Sequence, residues 1–337
     1  MVVGSLLVIV ALRLGREFVM PVVIAVLLTL MLTAPVRWLQ RRRVPERIGA
    51  AIVTFGAVAL FVSAAAALVS PTMAWIASAP QTMAKLEARV RRVAKPLMAL
   101  QSSADRMQRA TGPAAADAPR QVQLVTPGLF AKASFNTIAA VPVALTVVFL
   151  TYFLLASGPL VRRKLAALLP GKDELTRREH LLGQIEMATS HFLMTVVVIN
   201  TGVGLLTALV LWLVGVPSPL LWGTVAAVLN FVPYLGPVVT AAIIALAALA
   251  SIEAPVHALL APAAFYLIHL VETNFVTPMM LGRHLPVNTV AIFLGLLFFA
   301  WMWGIPGAVL AVPLTVCVKL VCDHVPALAH VGTLLDH

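Results

Sequence analysis

The sequence predicts an all-α polytopic membrane protein, and both its composition and the length of its apolar runs indicate this fold class. Hydrophobic residues make up 61% of the chain and charged residues 11%, whereas soluble domains carry about 25% charged residues. The mean hydropathy is +0.99, and the apolar runs are continuous, which disfavours a β-barrel with its alternating strands. Because a membrane-spanning helix needs about 20 apolar residues, we expect about eight hydrophobic membrane elements.

The positive charge of the chain lies mainly between these apolar runs. The formal net charge is +11, and basic loops between spans face the cytoplasm and anionic lipid. We therefore expect the lipid bilayer as a partner and no nucleic acid. Cys317 and Cys322 match no zinc or redox spacing, so we interpret them as buried apolar side chains and expect neither a metal nor a cofactor.

Residues 1–70 are predicted to form an N-terminal group of transmembrane helices. The run 2–12 is too short to span alone, whereas 18–38 and 48–69 have the length of full spans. A dense basic loop separates these two spans and marks the cytoplasmic side. Its basic residues are Arg37, Arg41, Arg42, Arg43 and Arg47. If 2–12 also crosses, both termini of the chain are cytoplasmic.

Residues 71–134 form the one large polar insertion, which the alternation of spans places on the extracytoplasmic side. Apolar residues recur there at alternating steps of three and four, as in a heptad seam: Met83, Leu86, Val90, Val93, Leu97, Leu100, Ala104 and Met107. This seam favours either a contact between subunits, and so a homo-oligomer, or an amphipathic helix on the membrane surface. We expect Pro96 to kink the helix and residues 111–127 to be a linker.

Residues 135–195 contain a span, a second basic connection and a cytoplasmic helix. The span is 139–156, and the amphipathic stretch 175–192 leads back into the membrane. The basic residues that follow the span are Arg162, Arg163, Lys164, Lys172, Arg177 and Arg178. This connection follows the Arg41 loop by two crossings, so we predict that the two lie on the same side.

Residues 196–325 are predicted to form the C-terminal transport core, followed by a tail at 326–337. After a span at 195–214, two apolar segments, 218–251 and 285–320, are each interrupted near the middle by Pro and Gly. Each is long for one span and short for two, so each is either a re-entrant hairpin or a kinked crossing. Paired interrupted segments are the best sequence indication of a transporter binding site.

The first interruption combines helix-breaking residues with polar side chains. Pro233 and Pro237 lack backbone donors, and Gly236 permits a positive φ. Backbone groups freed at such a break must face protein or a wet cavity, where they attract ions or polar solutes. With Asn230 and Tyr234 beside it, this loop is predicted to bind substrate or ion. The alternative is a kink that serves packing alone.

The second interruption has the same backbone character but no polar side chain beside it. It contains Gly304, Pro306 and Gly307. We predict that these residues form a hinge or break in the helix.

Between the two interrupted segments lies an apolar segment with one acidic residue, Glu272. An ionisable group at membrane depth costs at least about 2.5–3.5 kcal/mol, which favours a functional role over the alternative of a structural hydrogen bond. On an α-helix His269 shares a face with Glu272, whereas Asn274 lies roughly 200° away at about 3.6 residues per turn. We predict that all three bind or couple the transported species.

Several separated motifs resemble those of the autoinducer-2 exporter family. They are Gly215-Val216-Pro217, Leu221-Trp222-Gly223, Asn230-Phe231-Val232-Pro233-Tyr234-Leu235-Gly236-Pro237, Glu272-Thr273-Asn274 with Pro278, Gly282 and Arg283, and Trp303-Gly304-Ile305-Pro306-Gly307 with Ala311-Val312-Pro313. The resemblance covers nearly the whole chain. It implies a multi-pass transporter of the bacterial inner membrane, with members linked to autoinducer-2 export and others to sodium–proton exchange.

Taken together, the residues and the resemblance predict a secondary transporter that exports a small polar solute resembling autoinducer-2, with proton coupling. One alternative is an antiporter of sodium or lithium against protons. An alternative of another class is a non-transporting scaffold or channel-like oligomer built on the heptad seam. The chain contains no His-Glu-x-x-His, Gly-x-Ser-x-Gly or P-loop motif, so we expect no enzyme and no bound nucleotide.

Overall fold

The fold is known from a computed structural model that describes residues 10–109, 128–168, 175–281 and 288–324. These ranges are helical with no β-strand, and four of their helices are long and apolar enough to cross a membrane, or five if a bent pair counts as one more. The prediction of an all-α polytopic membrane protein is confirmed. Most of the run 2–12, the linker, residues 282–287 and the tail lie outside the described residues, as do the side chains of the heptad seam.

Among the described residues of the N-terminal half, four helices follow Gly15. They are α1 (Arg16–Arg41), α2 (Glu46–Arg109), α3 (Gly128–Ala156) and α4 (Gly158–Leu168). Helix α2 has 64 residues and continues through Pro71, so the predicted insertion starts within a helix rather than after one. The chain turns by 80° between α3 and α4, which carries the second basic connection away from the span.

Helix α5 (Leu175–Val214) joins the predicted cytoplasmic helix and the following span into one element of 40 residues. It runs antiparallel to α1, because the Ala34 N–H donates to Ser190 Oγ over 3.1 Å and Arg37 pairs with Glu186 over 3.0 Å. Arg162 of α4 pairs with the same Glu186 over 2.9 Å. Both basic connections therefore lie at one end of the helices, as predicted, and we name the two ends of α1 the Arg16 end and the Arg41 end.

The first interrupted segment folds back as a hairpin of α6 (Pro219–Leu229) and α7 (Leu235–Ser251). Helix α6 runs back along α5, and small residues let the two helices approach closely. Gly204 of α5 lies so near the carbonyl of Gly223 on α6 that a Cβ at position 204 would overlap it. The next helix, α8 (Pro255–Val271), starts where α5 stops, because His257 Nε2 lies 3.2 Å from the Val214 carbonyl oxygen. This first hairpin thus enters and leaves at the Arg16 end.

Helix α8 continues through a π-helical turn at Glu272–Val276 into the short helix α9 (Thr277–Leu281). Phe265 of α8 is fully buried and packs with Leu211 of α5 and Ile244 of α7 in one apolar cluster. Between helices in a bilayer such contacts stabilise the fold through van der Waals packing. The cluster fixes α8, and with it Glu272, against the first hairpin.

The second interrupted segment forms a second hairpin, of α10 (Thr289–Trp303) and α11 (Ile305–His324). Its two helices pack closely side by side. Gly295 of α10 lies so near the Thr315 hydroxyl of α11 that a Cβ at position 295 would overlap it. Its tip lies at the Arg16 end, where Arg13 stacks on the Trp301 ring at 4.3 Å. The second hairpin therefore opens toward the Arg41 end, opposite to the first. Of the two cysteines in α11, Cys322 is buried as predicted and Cys317 is partly exposed.

Candidate functional site

A cavity of about 740 Å³ lies where the first hairpin, α5, α8 and α11 meet. All predicted binding residues except Gly236 line it, and none of the predicted hinge residues does. Its polar lining residues are Asn200, Asn230, Tyr234, Tyr266, His269, Glu272, Thr273, Asn274 and Thr277. The remaining wall is apolar, which is the usual composition of a small-molecule site.

Glu272 is the acidic group of this cavity, and its carboxylate is held by three neighbours. The side chain is buried, with Thr277 donating a hydrogen bond to Oε1 and Thr273 donating to Oε2 over 3.1 Å. His269 Nδ1 lies 3.4 Å from Oε2. This nitrogen is buried and has no partner with hydrogen-bond geometry, and its contact with Glu272 is an ion pair only when the imidazole is protonated.

The π-helical turn explains why Thr277 reaches Glu272. On an α-helix a residue five positions on is rotated by about 140°, whereas π-helical bonding pairs residues i and i+5. The sequence prediction assumed an α-helix here and therefore missed Thr277. Asn274 also lines the cavity, although its amide donates to the Leu270 carbonyl over 2.8 Å. π-turns within α-helices are frequent at functional sites.

A pair of asparagines joins the first hairpin to α5 beside the cavity. The Asn230 amide donates to Asn200 Oδ1 over 2.8 Å. Asn200 is only 4% exposed, and its own Nδ2 is buried without a partner. A buried amide donor that lines a cavity is available to an acceptor oxygen on a ligand. The sequence prediction missed Asn200 as a site residue, although a polar side chain within an apolar span is itself a signal.

The tip of the first hairpin is a tight turn centred on Tyr234. The Leu235 N–H donates to the Pro233 carbonyl over 2.6 Å, and Tyr234 has φ 62° and ψ −52°, which together form a strained γ-turn. The prediction that Gly236 supplies the positive φ is wrong, since Tyr234 has it. Gly236 is needed for a different reason, because a Cβ there would overlap the Leu229 carbonyl. Strain of this kind concentrates at functional sites.

The tip of the second hairpin lies away from the cavity. Gly304 has φ 70° and ψ −145°, a conformation almost confined to glycine, and a Cβ on Gly307 would overlap the Phe299 carbonyl. The second hairpin instead reaches the cavity with Val312, Pro313 and Val316, from the middle of α11.

The chemistry of the cavity suits hydrogen-bonding solutes, protons or a monovalent cation. It offers one carboxylate, one imidazole, two hydroxyls beside the carboxylate and an amide donor. Among the described residues no group of three or more His, Cys, Asp or Glu side chains could hold a metal ion. The site residues arrange oxygen and nitrogen groups around one acid, Glu272.

Comparison with known proteins identifies a family that matches nearly the whole chain and relatives that match about half of it. A sequence profile described as AI-2E family transporter matches residues 2–327. The chain is similar to the AI-2 transport protein TqsA of Escherichia coli (strain K12), 33% identical over 177 residues, which are 50% of this chain and 50% of that protein. It is also similar to YrrI of Bacillus subtilis (strain 168), 27% identical over 183 residues, which are 54% of this chain and 51% of YrrI. These matches span about half the length of each relative.

Proposed function

Because the chain belongs to the AI-2E family of transporters, we propose that it is a secondary transporter that exports a small polar solute across the bacterial inner membrane. The solute class we propose resembles autoinducer-2, which matches the printed name of TqsA. The basic connections at the Arg41 end would face the cytoplasm, because short loops rich in Lys and Arg stay inside. The observation that supports this function best is the buried Glu272 carboxylate in a cavity bounded by two hairpins.

The two hairpins favour alternating access to this cavity. Transporters commonly place the binding site near the bilayer midplane, between discontinuous helices. The first hairpin enters from the Arg16 end and turns back after Asn230, whose amide bonds Asn200 within the predicted span 195–214 of α5. The second hairpin comes from the opposite end. A movement of one hairpin relative to the other would expose the cavity to one side at a time.

Glu272 is the group that we propose couples solute movement to protons. A charged carboxylate at this depth is stabilised by the Thr273 and Thr277 hydroxyls and by His269, and hydrogen bonds to charged groups contribute about 1.5–3 kcal/mol each. Protonation of Glu272 would weaken these contacts and free the hydroxyls. Solute and proton would therefore compete for the same groups, which is the basis of exchange.

Sodium–proton or lithium–proton exchange is a second candidate, supported by the oxygen cluster around Glu272. The carboxylate and the hydroxyls of Thr273 and Thr277 supply hard oxygen ligands from one turn of helix. A single carboxylate with neutral oxygens suits a monovalent cation, and a proton would displace it by neutralising the carboxylate.

Purified protein in liposomes tests both candidates. With a pH indicator trapped inside, addition of autoinducer-2 to one sample and of sodium or lithium chloride to another reports solute-driven or cation-driven proton movement. We expect Glu272→Gln to abolish the movement that the native protein shows. Glu253→Gln is the matched control, because Glu253 is exposed outside the helices, and it should retain native rates. Native rates in Glu272→Gln would contradict the coupling role.

A further inference from the structure

A second cavity, of about 410 Å³, lies between α1, α3, α4 and α5 at the Arg41 end. It shares no lining residue with the Glu272 cavity. The 80° turn between α3 and α4 brings α4 alongside α5, and the space beneath this corner is the cavity.

The lining of this cavity changes from apolar to charged along α1. Val26 and Leu30 line the part nearer the middle of α1, here called the deep part, whereas Arg37 and Gln40 line the part nearer the Arg41 end, here called the mouth. At about 1.5 Å per residue, the lining extends roughly 20 Å along the helix from Val26 to Gln40. Leu154 of α3 continues the apolar wall. The cavity is thus amphipathic along the direction of the membrane normal, as a phospholipid is.

Two arginines at the mouth share a single carboxylate. Arg37 and Arg162 lie 3.0 Å and 2.9 Å from the same oxygen of Glu186, and each guanidinium side chain keeps 29% of its surface exposed. A guanidinium has five N–H donors, so one carboxylate oxygen leaves most of these donors available. Glu186 fixes both guanidiniums in place without satisfying them.

The surroundings of the mouth are positively charged. Glu46 also lines the cavity, so Glu46 and Glu186 together balance the two arginines. The excess positive charge comes from Arg41, Arg42 and Arg47, which are exposed on the neighbouring turn and helix start. An anionic group that enters this mouth meets a positive field and free guanidinium donors.

We propose that this cavity binds an anionic phospholipid, with its phosphate at Arg37 and Arg162 and an acyl chain along Val26 and Leu30. Guanidinium groups bind phosphate oxygens in pairs, and basic pockets between transmembrane helices on the cytoplasmic side bind anionic headgroups. A free phosphate would leave the apolar part of the cavity unfilled, whereas a phospholipid fills both parts. The bound lipid bridges α1 and α4, and it is independent of the transported solute.

Native mass spectrometry of the purified protein with added phosphatidylglycerol tests this site. Bound phosphatidylglycerol should exceed bound phosphatidylcholine, and Arg162→Gln should lower its occupancy about tenfold. Arg163→Gln is the matched control on the same helix, because Arg163 is 72% exposed and pairs with Glu179 at 3.8 Å, outside the cavity. This control should retain native occupancy. Equal losses in the two variants would overturn the proposal.

A third variant covers the case in which Arg162→Gln disturbs the fold. Leu30→Trp fills the deep part of the cavity and leaves the Glu186 ion pairs in place, so it should lower phosphatidylglycerol occupancy without lowering the melting temperature. Unchanged occupancy in Leu30→Trp would overturn the proposed acyl-chain position. Competition by inorganic phosphate at equal concentration would also overturn the proposal, because it would identify a free-anion site rather than a lipid site.

Discussion

The two interrupted segments share one sequence pattern but have very different surroundings in the fold. Each is an apolar run broken by Pro and Gly, and each folds back as a hairpin whose tip glycine would clash with a carbonyl if it carried a Cβ. The tip of the first hairpin lies in the Glu272 cavity with Asn230 and Tyr234. The tip of the second lies at the Arg16 end beside Arg13. Pro and Gly thus predict a turn, whereas polar side chains beside the turn predict a site.

The largest expected effect is one that the two tips share. Gly236→Ala and Gly307→Ala each force a Cβ into a backbone carbonyl, and such overpacking costs about 3 kcal/mol. Both variants should therefore unfold at lower temperature in detergent. Gly56→Ala is the control, because a Cβ there meets nothing within 4 Å. If Gly236→Ala and Gly307→Ala were as stable as this control, the two glycines would not lie against backbone carbonyls.

A smaller effect separates the first hairpin from the second. Asn230→Ala removes the partner of Asn200, and an unsatisfied buried amide costs about 1–3 kcal/mol, so transport should fall roughly tenfold to a hundredfold. Thr224→Val is the control on the same helix, because its exposed hydroxyl bonds only the Leu220 carbonyl over 2.9 Å. Equal transport rates for Asn230→Ala and Thr224→Val would show that the asparagine pair is not part of the transport site.

The smallest effect concerns the π-helical turn. Thr277→Val keeps the shape of the side chain but removes the hydroxyl that bonds Glu272. Thr273 still donates to the carboxylate, so the loss should cost about 1.5 kcal/mol, the lower end for a bond to a charged group. Transport should therefore fall about tenfold, and Thr277→Ser should restore it. Rates that follow side-chain volume instead, with Ser no better than Val, would show that Thr277 acts by packing.

The sequence predicted the parts of the site that depend on composition and local chemistry. Glu272 was predicted from the cost of burying an acid, and Asn230 and Tyr234 from their position beside a break. The i, i+3 relation of His269 to Glu272 holds, because the helix is still α-helical up to Val271.

The parts that the sequence did not predict depend on backbone geometry or on distant contacts. The π-turn moves Thr277 onto Glu272, and no residue pattern distinguishes it from an α-helix. Asn200 meets Asn230 only because α6 packs closely on α5 through glycine. Likewise, the positive φ falls on Tyr234 because the turn is closed by the Pro233 carbonyl, whereas propensity alone favours Gly236.

Chemical modification at the two tips tests the difference between the hairpins most directly. In a chain with Cys317 and Cys322 replaced by Ala, Tyr234→Cys and Ile305→Cys each place one thiol at an exposed tip residue, 55% and 82% exposed. After treatment with a small thiol reagent, transport in liposomes should be blocked for the cysteine at position 234 and unchanged for the one at 305. Equal inhibition of both variants, or of neither, would contradict the assignment of the site to the first hairpin.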